Sequence, residues 1–264
     1  MAGQPAADGS PAIYTTFERP NPDYPGVIAG VALIDQTRTR MALIPGTRQP
    51  DRSTAAAQVA PADRKALVAT FNSGFKMADS RGGFYLDGRT FVPLRDGAAS
   101  LVIDRNGTAT VAQWGRDAVA GPNVVAVRQN LDLIVEGGQP VSGLDLNAGG
   151  TWGTLRNQLQ STWRSGVGVD AAGHLLYVGG GNMTLKSLAA ALANAGAVRA
   201  MQLDIHGHMV DLYSYRHTGG NGVTSTKLLP DMPNSGRRYL VPDQRDFAVL
   251  LRSGPADPLI LDAW

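Results

Sequence analysis

The chain is 264 residues long, enough to bury a substantial core in one or two domains, and its 43% hydrophobic content and 32 glycines exclude a fibrous or broadly disordered polypeptide. A formal net charge of only +2, with the basic residues scattered along the sequence, leaves no concentrated basic face for nucleic acid. The absence of cysteine excludes disulfides, a thiol nucleophile and cysteine-ligated metals.

Residues 1–26 read as a flexible N-terminal tail, because prolines at positions 5, 11, 20, 22 and 25 break any regular element. Residues 27–264 read as one catalytic domain. Val27 to Ile34 and Arg40 to Ile44 are expected strands, residues 49–60 a loop, and Pro61 to Leu67 a short helix leading into the apolar run Val68–Phe71. Two hairpins follow. Asp87-Gly88 and Asn106-Gly107 supply their turns, since both residue types tolerate the backbone angles of tight hairpins.

Val124 to Val135 holds two further apolar stretches, and residues 136–152 read as a glycine-rich loop. Arg164 to Asp170 and His174 to Val178 form a third hairpin around Ala171-Ala172-Gly173. Thr184 to Ala195 is the clearest helix: Thr184 caps it, Leu185, Leu188 and Leu192 line one face, and Gly196 stops it. Val198 to Leu203 is the next strand, residues 214–245 read as loop-rich, and Phe247–Leu250 as a closing strand. The fold class expected is α+β (mixed α/β), a strand-rich single domain with a mixed sheet and at least one crossover helix. No segment is long and apolar enough to form a membrane-spanning helix.

Several polar residues stand at the ends of apolar runs within glycine-rich stretches, where an enzyme places groups that must meet a substrate on a rigid backbone. Asp204 follows an apolar strand and precedes a Gly-His loop. Its carboxylate can take a proton from water or stabilise positive charge growing at a sugar carbon, or simply cap a turn. His206 and His208, two residues apart, can act as acid and base, bind phosphate when protonated, or hold a divalent cation with Asp204; no further ligand is identifiable, and no cofactor is required. Arg164 can grip an anion bidentately or orient Asp204. Asn72 and Lys76 flank Gly74-Phe75 and can contact substrate oxygens, Gly83 can let the backbone approach a ligand, and Asp211 can support the histidines. Each of these has a bland alternative as a turn former, a solvated charge or a packing residue.

Gly179-Gly180-Gly181-Asn182 leads into a helix but fits neither a P-loop nor the dinucleotide fingerprint GxGxxG, and no GxSxG or HExxH motif occurs. The only glutamates are Glu18 and Glu136, so carboxylate chemistry falls to aspartates.

The ordered series Phe71-Asn72-Ser73-Gly74-Phe75, Gly82-Gly83-Phe84-Tyr85, Arg164-Ser165-Gly166-Val167-Gly168-Val169, the helix 184–195 and Leu203-Asp204 resembles the phosphodiester glycosidase family, over most of residues 27–250. The corresponding family texts are an Asn-Gly-Gly-Phe segment, an Arg-Thr/Ser-Ala-x-Gly segment before a strand, and a Leu-Asp-Gly-Gly-Gly-Ser segment after the helix. The chain is similar to an actinobacterial-looking branch, with Ile205-His206-Gly207-His208 in place of the usual glycines and serine. The resemblance implies hydrolysis of a bond between a sugar anomeric carbon and a phosphodiester, with Asn72 contacting substrate, Arg164 binding phosphate and Asp204 at the catalytic centre. It also implies a glycan or sugar-phosphate partner, with no nucleic acid, and an extracytoplasmic or secreted location. A hydrolase of phosphate-free envelope glycans and a non-catalytic carbohydrate-binding protein are the alternatives.

Overall fold

The computed structural model describes residues 3–50, 55–146, 150–154 and 160–253. In chain order, β1 (Ile13–Glu18), β2 (Ala29–Ile34), β3 (Thr39–Ile44) and β4 (Leu67–Asn72) are followed by a single helical turn, α1 (Met77–Ser80). Next come β5 (Phe84–Leu86), β6 (Arg89–Val92), β7 (Ala99–Asp104), β8 (Ala109–Gln113), β9 (Val124–Gln129), β10 (Leu133–Glu136) and the short β11 (Gln139–Pro140). The long hairpin β12 (Thr162–Asp170) and β13 (Leu175–Met183) feeds α2 (Leu185–Asn194) and β14 (Ala197–Gln202), after which β15 (Leu212–Gly219), β16 (Gly222–Lys227) and β17 (Phe247–Arg252) close the fold.

These strands form three sheets. The first is seven-stranded, in the order β1-β2-β13-β12-β14-β10-β11. The second, β16-β15-β4-β17-β3, and the third, β6-β5-β9-β7-β8, have five strands each. One central core is shared by all three, with Ile34, Val167, Tyr177 and Met201 from the first, Met41 and Phe71 from the second, and Leu101 and Val111 from the third. The far face of the first sheet packs on Leu185, Leu188 and Leu192 of α2. Smaller clusters cover the outer faces of the second sheet, around Tyr213, Tyr239 and Phe247, and of the third, around Val102 and Trp114.

The α+β class, the strand-rich single domain and the crossover helix are present. The expectation of a mixed sheet is corrected in one respect: every ladder among the described strands is antiparallel. The helix α2 does connect two strands that run the same way, β13 and β14. However, β12 lies between them and pairs with both, so no parallel ladder results.

Three segments read as irregular carry strands, the shortest being β11 (Gln139–Pro140) within the stretch 136–152. Part of the expected N-terminal tail is β1, which pairs with β2 from Ile13↔Ile34 to Glu18↔Ala29 while Ala12 and Ile13 are fully buried. The prolines that suggested a tail all lie outside this six-residue strand. The stretch 214–245 contains most of β15 and all of β16, joined at Gly219–Gly222. The β5–β6 turn forms as its sequence predicts: Asp87 and Gly88 both take positive φ, the left-handed pair that a two-residue hairpin needs.

Candidate active site

Asp204 sits just past β14, where the ladder with β12 ends irregularly: the Leu203 N–H donates to the Ser165 carbonyl at 2.7 Å, and the Ser165 N–H to the Asp204 carbonyl at 2.9 Å. The carboxylate is 4% exposed. Its Oδ1 accepts the backbone N–H groups of Ile205 at 2.7 Å and His206 at 3.0 Å, as the chain turns away from the strand. Its Oδ2 faces the guanidinium of Arg245 at 3.3 Å. Burial pushes the Asp204 carboxyl above its ordinary range; Arg245, the two N–H groups and His206 oppose this, but desolvation prevails. A carboxyl so placed, just past the end of a strand, can accept a proton.

Arg245 is anchored by the same group that reaches Asp204, with Nη2 also donating to the Gly74 carbonyl at 2.7 Å. Beside it, Arg128 of β9 forms a buried ion pair with Asp246 at 2.7 Å and donates to the Phe75 carbonyl, fixing the Gly74-Phe75 segment. A side chain at Gly74 would approach Asn130 within 3.0 Å and Arg128 within 3.1 Å, which explains glycine there.

Among the sequence-predicted residues, His206 and His208 are exposed and close together. The His206 Nδ1 accepts the His208 N–H at 3.3 Å, and the two rings lie 5.8 Å apart. Lys76 is exposed just before α1. His206 and His208 follow Asp204 directly in the chain, and Lys76 lies two residues after Gly74, whose carbonyl accepts from Arg245. Among the described residues no group of three or more His, Cys, Asp and Glu is arranged to hold a metal ion.

The other predicted residues are structural supports. Asn72 is fully buried, and its amide is saturated: Oδ1 accepts the Tyr177 hydroxyl at 2.9 Å and the Asp211 N–H at 3.2 Å, while Nδ2 donates to the Ser165 hydroxyl at 3.0 Å and the Ser73 carbonyl at 2.9 Å. It pins β4 to β12 and β13 and leaves no group for substrate. Asp211 is equally enclosed, accepting from Arg238 at 2.6 Å, Tyr239 at 2.7 Å, Asn234 at 3.2 Å and Tyr213 at 3.3 Å. Burial raises its carboxyl above the ordinary range against the pull of Arg238. Gly83 is needed for backbone packing, since a Cβ there would lie 2.4 Å from the Pro93 carbonyl oxygen; its N–H donates to Gln129 Oε1 at 3.0 Å.

Arg164 is 1% exposed and donates to the main-chain carbonyls of Met183 and Gln160, both at 2.9 Å. Burial lowers its pKa to about 10. Of the two roles expected of it, binding phosphate and orienting Asp204, the second is filled by Arg245, which contacts the Asp204 carboxylate.

The sequence reading missed Arg245, which lies in the stretch set aside as loop. It also passed over three sets of buried polar atoms that have no hydrogen-bond partner among the described residues: the Ser73 hydroxyl, the Arg245 Nε and both side-chain atoms of the Gln202 amide. All are tied to Asp204 by short paths. Ser73 lies between Asn72, which holds Ser165, and Gly74, which holds Arg245; Gln202 is two residues before Asp204 on the same strand.

The family model for phosphodiester glycosidases matches residues 64–204, just over half of the chain and ending at Asp204. No curated protein matches the sequence. Among solved structures, the fold is similar to the catalytic domain of zebrafish N-acetylglucosamine-1-phosphodiester alpha-N-acetylglucosaminidase, auto-inhibited by its pro-peptide. That likeness has a TM-score of 0.59 at 16% identity and covers 96% of this chain and 87% of that one. A hypothetical protein from Synechocystis aligns with a TM-score of 0.53 at 13% identity, over 93% of this chain and 63% of the other. At these identities the likenesses describe the fold.

Proposed function

Since the chain belongs to the phosphodiester glycosidase family, we propose that it is a hydrolase cleaving the bond between a sugar anomeric carbon and a phosphodiester oxygen, in a cell-envelope or extracellular glycan. The observation that carries this reading is the Asp204 carboxylate, buried, raised in pKa and held between two backbone N–H groups and Arg245. Asp204 takes a proton from the attacking water as the water oxygen bonds to the anomeric carbon. The bond from that carbon to the phosphodiester oxygen breaks, and the phosphate departs as a monoester. His206, exposed beside Asp204, gives a proton from its imidazolium form to the departing oxygen, and Lys76 supplies positive charge that an anionic substrate meets.

The expected product is a free reducing sugar and a phosphomonoester. Mass-spectrometric product analysis on matched sugar-1-phosphodiesters and phosphate-free envelope glycans tests this, comparing the native chain with Asp204→Asn. A phosphate-dependent product from the native chain alone supports the reading. Equal turnover by Asp204→Asn removes Asp204 from the reaction, and product only from phosphate-free glycan moves the activity to ordinary glycoside hydrolysis. An extracytoplasmic location accompanies the proposal and is tested by fractionating cells that express the protein.

A further inference from the structure

The exposed apolar side chains are not spread evenly over the fold. Among the described residues seven large ones are exposed, and Tyr14, Phe17, Tyr24 and Ile28, which include every aromatic one, stand on β1 and its connection to β2. Single exposed apolar residues need no explanation, whereas a concentration of them marks a place where something binds. Phe17 and Ile28, with Leu229 and Pro230, are the walls of one cleft of about 560 Å³, a size suited to a small ligand.

Glu18 and Arg19 complete the lining. Glu18 Oε1 is shut off from solvent and has no hydrogen-bond partner among the described residues, and burial raises the carboxyl to about 6. The carboxylate turns readily about its last torsion, so either oxygen can be presented to the cleft. Arg19 commits its Nε to the Pro25 carbonyl at 2.8 Å, and its exposed guanidinium keeps its other N–H groups for a ligand. The cleft also has a fixed relation to Asp204. Phe17 pairs with Gly30 of β2, Gly30 with Gly179 of β13 and Gly179 with Ser165 of β12, and Ser165 exchanges backbone hydrogen bonds with Leu203 and Asp204. Cleft and carboxylate therefore stand at one end of the first sheet, four strand spacings or about 19 Å apart.

We propose that the cleft at the end of β1 is a carbohydrate subsite, which takes a neutral sugar ring of a longer glycan with the ring's C–H face on Phe17 and its hydroxyls on Glu18 and Arg19. The connection to a longer substrate rests on the reading of Asp204 as the reaction centre; binding in the cleft itself does not. The chemistry of the lining selects the ligand class. An anion is repelled by the Glu18 carboxylate, and an inorganic cation finds one carboxylate beside a guanidinium. A sugar hydroxyl donates to Glu18, its neighbour accepts from Arg19, and the apolar face of the ring covers Phe17, Ile28, Leu229 and Pro230. The separation from Asp204 is more than one sugar ring, so only an oligosaccharide reaches both places.

The test measures binding of cellotetraose, laminaritetraose and the tetramer of N-acetylglucosamine, and of hexylamine, by titration calorimetry on the native chain and on Phe17→Ala, Phe17→Trp and Glu18→Met. At least one tetrasaccharide should bind the native chain. Phe17→Ala and Glu18→Met should each weaken it about 10-fold or more, and Phe17→Trp should retain it, which a merely structural aromatic would not require. The thermal midpoint of Glu18→Met should not fall below the native one, since an unpartnered carboxylate has been removed, and kcat on a monosaccharide-1-phosphodiester should be unchanged in all three variants. A native chain that binds no tetrasaccharide would overturn the proposal, as would an affinity that Phe17→Ala and Glu18→Met leave unaltered. Hexylamine bound in place of sugar would assign the cleft to an amine with an apolar body, and a native dimer that Phe17→Ala dissociates in sedimentation would assign it to a second copy of the chain; either overturns the proposal. A clearly lowered midpoint in Glu18→Met would mean that the carboxyl serves the fold, with the same consequence. If tetrasaccharide binding depends on Phe17 and Glu18 but no phosphodiester is cleaved, the proposed reaction fails and the subsite stands.

Discussion

Asn72 cross-links four neighbours through one buried amide. Asn72→Ala strands the Asp211 N–H inside the core and removes one partner each from the Tyr177 and Ser165 hydroxyls, at a cost of about 2 kcal/mol, read as a lower urea midpoint. The residual folded protein should keep its KM, which a substrate contact would not allow. Arg245 governs a different quantity. Its guanidinium holds down a carboxyl that burial drives up, so Arg245→Gln raises the Asp204 pKa further. With Asp204 acting as a base, kcat/KM rises with pH as that carboxyl ionises, and the acid limb of the profile moves to higher pH in the variant; an unmoved limb would mean that another group sets it. At this scale Asp204 was legible from its position after an apolar run. Asn72 was legible as important but not as saturated, and Arg245 was not legible, because a guanidinium some forty residues further along announces nothing in local sequence.

Helix α2 shows how far element-level signals reach. Thr184 accepts the Ser187 N–H at 3.1 Å, and the Ser187 hydroxyl accepts the Thr184 N–H at 2.9 Å, a reciprocal cap that the sequence anticipated at Thr184 alone. Thr184→Ala should cost about 1 kcal/mol of global stability, measured by denaturant unfolding. The helix, the hairpins with Asp-Gly or Ala-Gly turns and the flanking strands were legible because their apolar periods are regular. The strand β16 was not, because as the outermost member of its sheet it carries Thr-Ser-Thr on a largely exposed ribbon, without the alternating apolar signature. The strand β1 was hidden for a related reason: it is also an edge strand, with Tyr14 and Phe17 facing solvent.

At the scale of the whole molecule, the ion pair between Arg128 and Asp246 links the third sheet to the entry of β17 in the second, directly behind the Gly74-Phe75 segment. Both partners are almost wholly buried, so Asp246→Asn leaves a cation without its counter-charge. It should cost about 3 kcal/mol or more, visible as a lower midpoint in calorimetry, with a KM increase as Phe75 is released. Pairings of this span cannot be read from sequence, since nothing local relates residue 128 to residue 246. The placement of β17 has a consequence for how the protein is made. This strand, contributed by residues 247–252, lies between β4 and β3, which are contributed by residues 39–72. A chain emerging from the ribosome therefore carries an open slot in its second sheet until residues 247–252 have been translated, and lacks the guanidinium that steadies Asp204 until Arg245 has been. Synthesis and folding are thereby separated in time, which gives any machinery that handles extended polypeptides a long interval in which to engage the chain before it locks.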